Sequence, residues 1–355
     1  MTPYFTLLFT LAIATLFDGK KIDKILFIIL TFVMLLFSAF RVGGVGLGDY
    51  DAYLRLYLLT DNFEKVINPE VHAEIGFRFI SFLGNFFGFG EQYIIIVMAM
   101  LALIPVAYVI YKYSPYKILS LIVWMPYFLT MNMHSSRTSV AAAFGLLFIS
   151  LYYKKKWISA LICLAIAVSF HTSVLILLCV FFVKFSLKKL SLILFFALSV
   201  LIFVSPFDLL ISIFNILGLE RLSDFLLIYL ASDDYGYPMK IYDPRIILGV
   251  CLVFLILKYQ KYISQQYDMY FYKIYIIGVL LMIVFSSVVI MAWRISYFLL
   301  LISVIVIPWL AKIFNNIVEN NIGSKRVASF IFTLVYVLYT TPIILGAEPY
   351  EFFLD

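Results

Sequence analysis

Long apolar segments separated by short polar breaks run through almost the whole chain, and this pattern restricts the possible folds more than any other feature. Of the 355 residues, 65% are hydrophobic and only 13% are charged. A bilayer core is crossed by roughly 20 apolar residues in a helix, and backbone groups in lipid must be satisfied internally. Because the runs have helical length, and short alternating segments of the barrel type are absent, the sequence predicts an all-α polytopic membrane protein.

The apolar runs predict about 12 transmembrane helices in a single transmembrane domain over residues 1–355. The spans are expected at residues 3–17, 22–40, 92–111, 118–133, 139–153, 157–170, 173–185, 190–204, 246–259, 274–292, 295–311 and 328–345. The first run lacks a basic segment before it and a small-residue cleavage site after it, so we expect a retained span rather than a signal peptide. Two long segments, 41–91 and 205–245, interrupt the spans, and their apolar spacing predicts short helices at the membrane interface.

The distribution of lysine predicts which way the chain is oriented in the membrane. Sixteen of the 18 lysines fall in loops on one side of the predicted spans, which the positive-inside rule assigns to the cytoplasm. Seven of the eight arginines, all three histidines and 16 of the 20 acidic residues fall on the other side. Both termini and both long segments then lie outside, and the polar chemistry is expected on the outer face.

Several classes of protein are disfavoured by the motifs that the sequence lacks. It has no H-E-x-x-H, P-loop, CxxC or G-x-S-x-G motif, which argues against a metalloprotease, an ATP-driven pump and a serine hydrolase. Ionisable residues are scarce near the middle of the spans, where ion-coupled carriers need them. The three cysteines lie in apolar runs at no metal-ligand spacing. We therefore expect no metal, no cofactor and no nucleic-acid partner.

Arginine is the residue type on the outer face that most clearly indicates a ligand. A guanidinium group binds phosphate through a planar fork of donors, whereas lysine is a point charge. Snorkelling at helix ends, or pairing with the external acids, is the alternative for any single arginine. Arg137 and Arg294 have apolar neighbours on both sides, in the stretches MHSSRTSVAAAF and MAWRISYFLL. A charge at that depth is costly and usually functional, so these two are predicted to bind an oxyanion.

Candidate proton acceptors also fall on the outer face. His171 lies in SFHTS at the outer end of a span, and its near-neutral titration suits a general base, although a structural histidine is the alternative. Asp49 and Asp51 lie in RVGGVGLGDYDAYLRLY, where acids could serve as base, sugar-hydroxyl acceptors or metal ligands. They could also pair with Arg41 or Arg55 in a turn. The four glycines of this stretch allow close approach of backbone to a ligand but do not form a nucleotide-binding fingerprint.

Taken in order along nearly the whole chain, these segments resemble the EpsG-like branch of the Wzy-type polysaccharide polymerases. The matching stretches are Arg41, GDYDAY (48–53), EIGF (74–77), RTSVAAAF (137–144), FHTS (170–173), RISYF (294–298) and PYEFF (349–353). The family commonly has glutamine directly after the arginine that corresponds to Arg137, and Thr138 stands there in this chain. The resemblance therefore assigns no substrate contact to Thr138.

The resemblance implies a GT-C-like glycosyltransferase in the bacterial cytoplasmic (inner) membrane, with its active site facing outward. Such an enzyme moves a growing glycan from one undecaprenyl diphosphate carrier to the terminal sugar of another lipid-linked repeat unit. The implied partners are the lipid-linked donor and acceptor glycans, membrane lipid, a chain-length regulator and a flippase. No nucleotide sugar, metal or cofactor is implied, since fixed cations can stabilise the departing diphosphate.

The same resemblance, read together with the chemistry of the residues, assigns a role to each candidate. Four arginines are expected to hold the diphosphate: Arg41, Arg137, Arg294 and, as a further candidate, Arg245. His171 is favoured over Asp49 as the catalytic base. Three other side chains are expected to bind substrate or to orient the arginines: Asp51, Glu74 and Tyr297.

Two other functions remain open at the level of the sequence. An O-antigen ligase-like transferase would use the same donor but transfer the glycan to a lipid A core or another acceptor. A non-enzymatic flippase or exporter of lipid-linked oligosaccharide would strand repeat units inside the cell when lost, and would need a charged central cavity that the spans do not indicate. Loss of a polymerase leaves single repeats attached to the surface acceptor, whereas loss of a ligase leaves none.

Overall fold

The computed structural model describes residues 1–45, 49–68, 73–184, 186, 193, 206–216, 218, 220–233, 236–240, 242–266, 269–322 and 326–353. These residues are mostly helical. They divide into two compact units, Met1–Leu175 with Ser303–Asp355, and Ile176–Ile302. The single transmembrane domain over the whole chain stays a prediction.

The described residues form α-helices in the following order along the chain. They are α1 (Thr2–Ala14), α2 (Asp23–Ala39), α3 (Tyr50–Leu59), α4 (Phe63–Ile67), α5 (Ile75–Phe86), α6 (Gln92–Tyr113), α7 (Lys117–Tyr127), α8 (Ser136–Tyr153), α9 (Trp157–Phe170), α10 (Pro206–Ile216), α11 (Glu220–Leu230), α12 (Pro244–Lys258), α13 (Gln260–Gln266), α14 (Tyr270–Val284), α15 (Val289–Leu300), α16 (Ser303–Ile322) and α17 (Val327–Leu345). Single turns of other helix types continue two of them, a 3-10 turn at Thr15–Phe17 and a π-helical turn at Phe128–Asn132, and a longer 3-10 helix covers Thr172–Lys184.

Length and composition of the helices confirm the prediction of an α-helical membrane protein. Gln92–Tyr113 and Val327–Leu345 are long and apolar enough to cross a membrane, and Val289–Leu300 with Ser303–Glu319 makes a third candidate if the two count as one broken span. The other described apolar helices are shorter. The number of 12 spans and the GT-C-like architecture stay predictions, and the predicted span at 190–204 falls almost entirely outside the described residues. Helices do form in both long segments, as expected from their apolar spacing.

The predicted break between spans at residue 294 is wrong. Arg294 lies inside α15, and the chain instead leaves the helical path at residues 285–288 and 301–302. The earlier break is stabilised by a neighbouring loop, because the Met239 N–H donates to the Ser286 carbonyl (2.7 Å) and the Val289 N–H to the Tyr237 carbonyl (2.9 Å). Neither of these two positions contains glycine or proline, the residues that most often mark a break.

Two helices form the centre of the first unit. Residues 117–126 of α7 are all buried, and α8 packs against α6 and α9 with buried small residues such as Ala141, Ala142, Ala143 and Gly145. A helix that is apolar on every side is expected to be enclosed by others, and small side chains let helices approach closely in a membrane. The beginning of α8 is thereby held at a fixed place, which matters because Arg137 is there.

Contacts at the two ends of this unit bring together segments that are far apart in the sequence. At one end Arg41–Val42 (β1) pairs antiparallel with Glu351–Phe352 (β2). The Tyr4 ring packs edge-on against Tyr350, so the start of α1, the end of α2 and residues 350–352 lie together. At the other end Arg326 donates to the Asp18 carbonyl (2.8 Å), which joins two segments that the lysines place on the cytoplasmic side.

Asp18 caps α7 from a distant part of the chain, and its removal is expected to destabilise the fold. Its carboxylate oxygens accept hydrogen bonds from the backbone N–H groups of Ile118 (2.9 Å) and Leu119 (2.8 Å), and the residue is only 4% exposed. We expect Asp18→Asn to lower the free energy of unfolding by about 1–2 kcal/mol, because one acceptor becomes a donor that faces an N–H group. Thermal unfolding in detergent measures this, with the exposed Asp61→Asn as a control that should leave the midpoint unchanged.

Candidate functional site

Arg41 is a buried cation that has no acidic partner among the residues that the structure describes. Its guanidinium donates to the Gly43 carbonyl, to Ser136 Oγ (3.1 Å) and to the Asn132 carbonyl (3.5 Å), and it lies over the Tyr50 ring at 5.6 Å. The residue is 1% exposed, and none of the ion pairs found in the described part of the chain includes it. Burial lowers its pKa to about 10, so it remains charged at neutral pH. A buried charge with no counter-charge is costly, which makes this position favourable for an anion.

Gln92, at the beginning of α6, fixes the backbone that carries Arg41. Its side-chain nitrogen donates to the carbonyls of Ala39 (2.9 Å) and Arg41 (3.1 Å), and its oxygen accepts from the Tyr50 hydroxyl (2.8 Å). This amide satisfies backbone groups at the end of α2 that have no partner within the helix. The position of Arg41 therefore depends on α6 as well as on the strand pair.

The glycine-rich stretch lets two backbone segments meet beside Arg41, rather than showing an approach to a ligand. The Val45 N–H donates to the Met133 carbonyl at 3.1 Å. A Cβ at Gly44 would lie 2.6 Å from that same carbonyl oxygen, so no other residue fits there without a shift. Two of the four glycines, at positions 46 and 48, lie outside the described residues.

Gly44→Ala is expected to separate these segments and to weaken both stability and activity. The methyl group would clash with backbone, which cannot move as a side chain can, and overpacking of this kind costs about 1–3 kcal/mol. Gly90→Ala is the matched control, because a Cβ at Gly90 has nothing within 4 Å. Thermal midpoints and glycan length in cells would be compared, and equal values for the two variants would contradict the close contact at Gly44.

Tyr53 connects the Arg41 region with Arg137. Its hydroxyl donates to Asp49 Oδ2 at 3.1 Å, and its ring lies under the Arg137 guanidinium at 5.6 Å, next to Phe77. Tyr53 is 1% exposed, and burial raises its pKa well above the ordinary tyrosine value, so the hydroxyl stays protonated. Arg41 contacts Ser136, and Arg137 directly follows Ser136 in the chain. Both arginines therefore lie at the beginning of α8.

A carboxylate joins Arg137 to His171. Arg137 Nη1 lies 2.7 Å from Glu74 Oε2, and His171 Nδ1 lies 3.5 Å from Glu74 Oε1. The three side chains are 16–25% exposed, so a ligand can reach them although most of their surface is covered. Arginine, glutamate and histidine therefore form one connected group across α8, the beginning of α5 and the end of α9.

Gly76 allows α5 to lie close enough to α9 for this group to form. A Cβ at Gly76 would lie 2.6 Å from Ser169 Oγ and 2.8 Å from the Ser169 carbonyl oxygen. Glu74 precedes this contact by two residues and His171 follows it by two. The EIGF and SFHTS stretches thus meet because one of them has no side chain at the crossing point.

The structure brings five of the predicted site residues together in the first unit and places the others differently. The group consists of Arg41, Asp49, Glu74, Arg137 and His171. Asp51 is exposed in the first turn of α3. Neither Asp49 nor Asp51 forms an ion pair with Arg41 or Arg55 among the described contacts. Sequence reasoning assigned no role to Tyr53, Gln92 or Ser136, since polar side chains of these types rarely stand out without their contacts.

Three predicted ligands belong to the second unit. Arg245 is already held by a carboxylate, because its Nε and Nη2 donate to the two oxygens of Asp243 at 2.9 and 2.7 Å. Its guanidinium also lies 5.8 Å from the Trp293 ring. Arg294 is half-buried within α15, and Tyr297 is 1% exposed. Their roles as substrate ligands stay predictions.

The fold and this site define a helical membrane protein that gathers arginine, carboxylate and imidazole groups at one end of its larger unit. The model of the EpsG family matches residues 24–352, nearly the whole chain, and the protein belongs to this family. Members of the family are generally glycosyltransferase-like polysaccharide polymerases. The comparisons with curated proteins and with solved structures find no match. The resemblance noted from the sequence is thereby confirmed.

Proposed function

We propose that the protein polymerises undecaprenyl diphosphate-linked oligosaccharide repeat units into a surface polysaccharide, on the outer side of the bacterial inner membrane. The observation that carries this proposal is Arg41, which is charged, buried and in no ion pair with the described residues, and which contacts Ser136, the residue directly before Arg137. A diphosphate would supply the missing negative charge. Membership of the EpsG family supports the same class of reaction.

The two arginines would act on the diphosphate in different ways. Arg137 uses Nη1 for Glu74, and its other donors are the ones we assign to phosphate oxygens. Both terminal nitrogens of Arg41 already have partners, so this residue would act mainly through its charge in a site of low dielectric. Charge that develops on the leaving diphosphate is then stabilised without a large rearrangement. Arg245, Arg294 and Tyr297 are proposed as additional contacts to the lipid-linked substrate.

His171 is proposed as the proton acceptor. Glu74 near its Nδ1 would hold the ring and stabilise the imidazolium, and Nε2 is the atom that we assign to the acceptor hydroxyl. The hydroxyl oxygen forms a bond to the anomeric carbon of the donor glycan, and the bond from that carbon to the diphosphate breaks. The bonding electrons leave with the diphosphate, and the hydroxyl proton passes to His171. Asp49 is less suited, because its Oδ2 already accepts from Tyr53.

A reconstituted reaction tests the proposal directly. The purified protein in lipid nanodiscs would be incubated with the lipid-linked oligosaccharide extracted from a host strain that lacks the gene. We expect dimers and longer oligomers of the repeat unit together with free undecaprenyl diphosphate. Transfer of a single repeat to another acceptor would favour a ligase-like enzyme, and translocation across vesicles without new glycosidic bonds would favour a flippase; either result would overturn the proposal.

A further inference from the structure

Asn132 is a buried amide, and neither of its polar side-chain atoms has a hydrogen-bond partner in the part of the chain that the structure describes. The residue is 3% exposed, and both Nδ2 and Oδ1 are enclosed. Leaving such a group unsatisfied costs about 1–3 kcal/mol for each polar atom. Asn132 also ends the π-helical turn after α7, and π-helical turns occur frequently at functional sites. Because an unsatisfied buried amide destabilises the fold, we expect Asn132 to have a functional role.

Two neighbours of Asn132 in the site carry unpartnered nitrogens as well. Among the described residues they are Arg41, whose Nε has no acceptor, and His134, whose Nδ1 has no hydrogen-bond partner. Arg41 is linked to this turn directly, through the Asn132 carbonyl. Burial lowers the pKa of His134 and Arg41 lowers it further, whereas Asp49 and a hydrogen bond to the Val45 backbone raise it; the net shift is downward, so the imidazole is neutral at neutral pH. The unpartnered atoms thus lie on residues that neighbour one another around Arg41.

The chemistry of these atoms fits a sugar better than a phosphate. A carboxamide offers both a donor and an acceptor, the second nitrogen of a neutral imidazole that already donates to backbone is an acceptor, and a hydroxyl group can both donate and accept. A phosphate needs donors alone, which Arg137 can supply. We propose that Asn132, together with Arg41 Nε and His134, forms a subsite for hydroxyl groups of the sugar that is joined to the diphosphate. This subsite rests on the proposed function, and it adds a sugar-recognising side chain that the family resemblance does not assign.

The variant Asn132→Leu distinguishes sugar binding by Asn132 from a purely structural role of this residue. Replacing an unpartnered polar group by an apolar group of similar shape is neutral or stabilising, so we expect the thermal midpoint to stay the same or rise. Dissociation constants would be measured in nanodiscs for two probes, the lipid-linked oligosaccharide extracted from the deletion strain and undecaprenyl diphosphate without sugar. We expect binding of the first to weaken at least tenfold and binding of the second to change less than twofold. The control is Ser150→Ala, a buried residue on α8 whose hydroxyl bonds within the helix, with binding of both probes unchanged.

Several outcomes would overturn the subsite. Equal weakening for both probes would show that Asn132 does not contact the sugar, and a lowered midpoint would show that the amide is satisfied by a trapped water and is structural. Unchanged binding of both probes would also show that Asn132 does not contact the sugar. If the wild-type protein binds both probes as expected but forms no polymer, the polymerase function fails while the subsite stands, so the two failures are distinguishable.

Discussion

Replacing Arg137 by alanine will abolish long glycan chains while the protein still inserts into the membrane. The substitution removes the guanidinium that lies over Tyr53 and that pairs with Glu74 at 2.7 Å. Loss of one preorganised charge-stabilising group typically lowers a rate by about 10²–10³-fold, which is enough to leave mostly single repeat units. Glycan length on gels, in a deletion strain that expresses each variant, measures the effect, and immunoblots of membranes measure insertion.

Two further variants separate the role of Arg137 in charge stabilisation from a role in folding. Arg137→Lys keeps the positive charge but loses the planar fork and the stacking, so we expect chains of intermediate length. Arg137→Ala combined with Glu74→Gln avoids an unpaired buried carboxylate, and it should remain inactive although it folds. Lys65→Ala, which removes an exposed cation paired with Asp61, should leave chain length unchanged. Normal chains in Arg137→Ala would exclude the assigned role.

His171→Asn is expected to lower the polymerisation rate by about 10²–10⁴-fold, the range over which a positioned general base acts. Asparagine is smaller than the ring but keeps a hydrogen-bonding group near the position of Nδ1, and it cannot take the proton. Glu74→Gln should have a smaller effect, because it removes the charge that holds the imidazole and not the imidazole itself. Initial rates with the extracted lipid-linked oligosaccharide, measured in nanodiscs, give both values.

The double variant Glu74→Gln, His171→Asn tests whether the two residues act together. Groups that work as a unit are strongly non-additive, so the double variant should be about as slow as His171→Asn alone. Rates that fall by the product of the two separate effects would show that Glu74 acts independently of His171. A retained rate in His171→Asn would instead return Asp49 to consideration as the base.

The sequence predicted the parts of the site better than their arrangement. The apolar runs predicted helices, and the mixed segments between them contain the residues that meet around Arg137. Glu74 and Arg137 are 63 residues apart, and Arg41 and Ser136 are 95 apart, so their contacts depend on helix packing rather than on local pattern. A helix buried on every side has no polar face to show which neighbour it meets, and this is why the partner of Arg41 could not be predicted.

Other features were hidden for a different physical reason. Asn132, Gln92 and Tyr53 are of residue types that are common in any sequence, and only their burial and contacts reveal that they matter. Arg294 was expected between two spans but lies inside α15. The actual break precedes it and is stabilised by a loop that is distant in the sequence, residues 236–239. Glycine was the informative residue in this chain, but at Gly44 and Gly76 it marks contacts of the protein with itself.

The strand pair beside Arg41 has a consequence for how this protein matures. The partner of Arg41–Val42 is Glu351–Phe352, and the Phe353 N–H also donates to the Phe40 carbonyl at 2.7 Å. The peptide groups around Arg41 therefore find these partners only after residues 351–353 have been translated. A chain that lacks these residues would carry every side chain of the Arg137 group, and Gln92 and Ser136 would still contact Arg41, but the backbone of residues 40–42 would lose its hydrogen bonds to the end of the first unit.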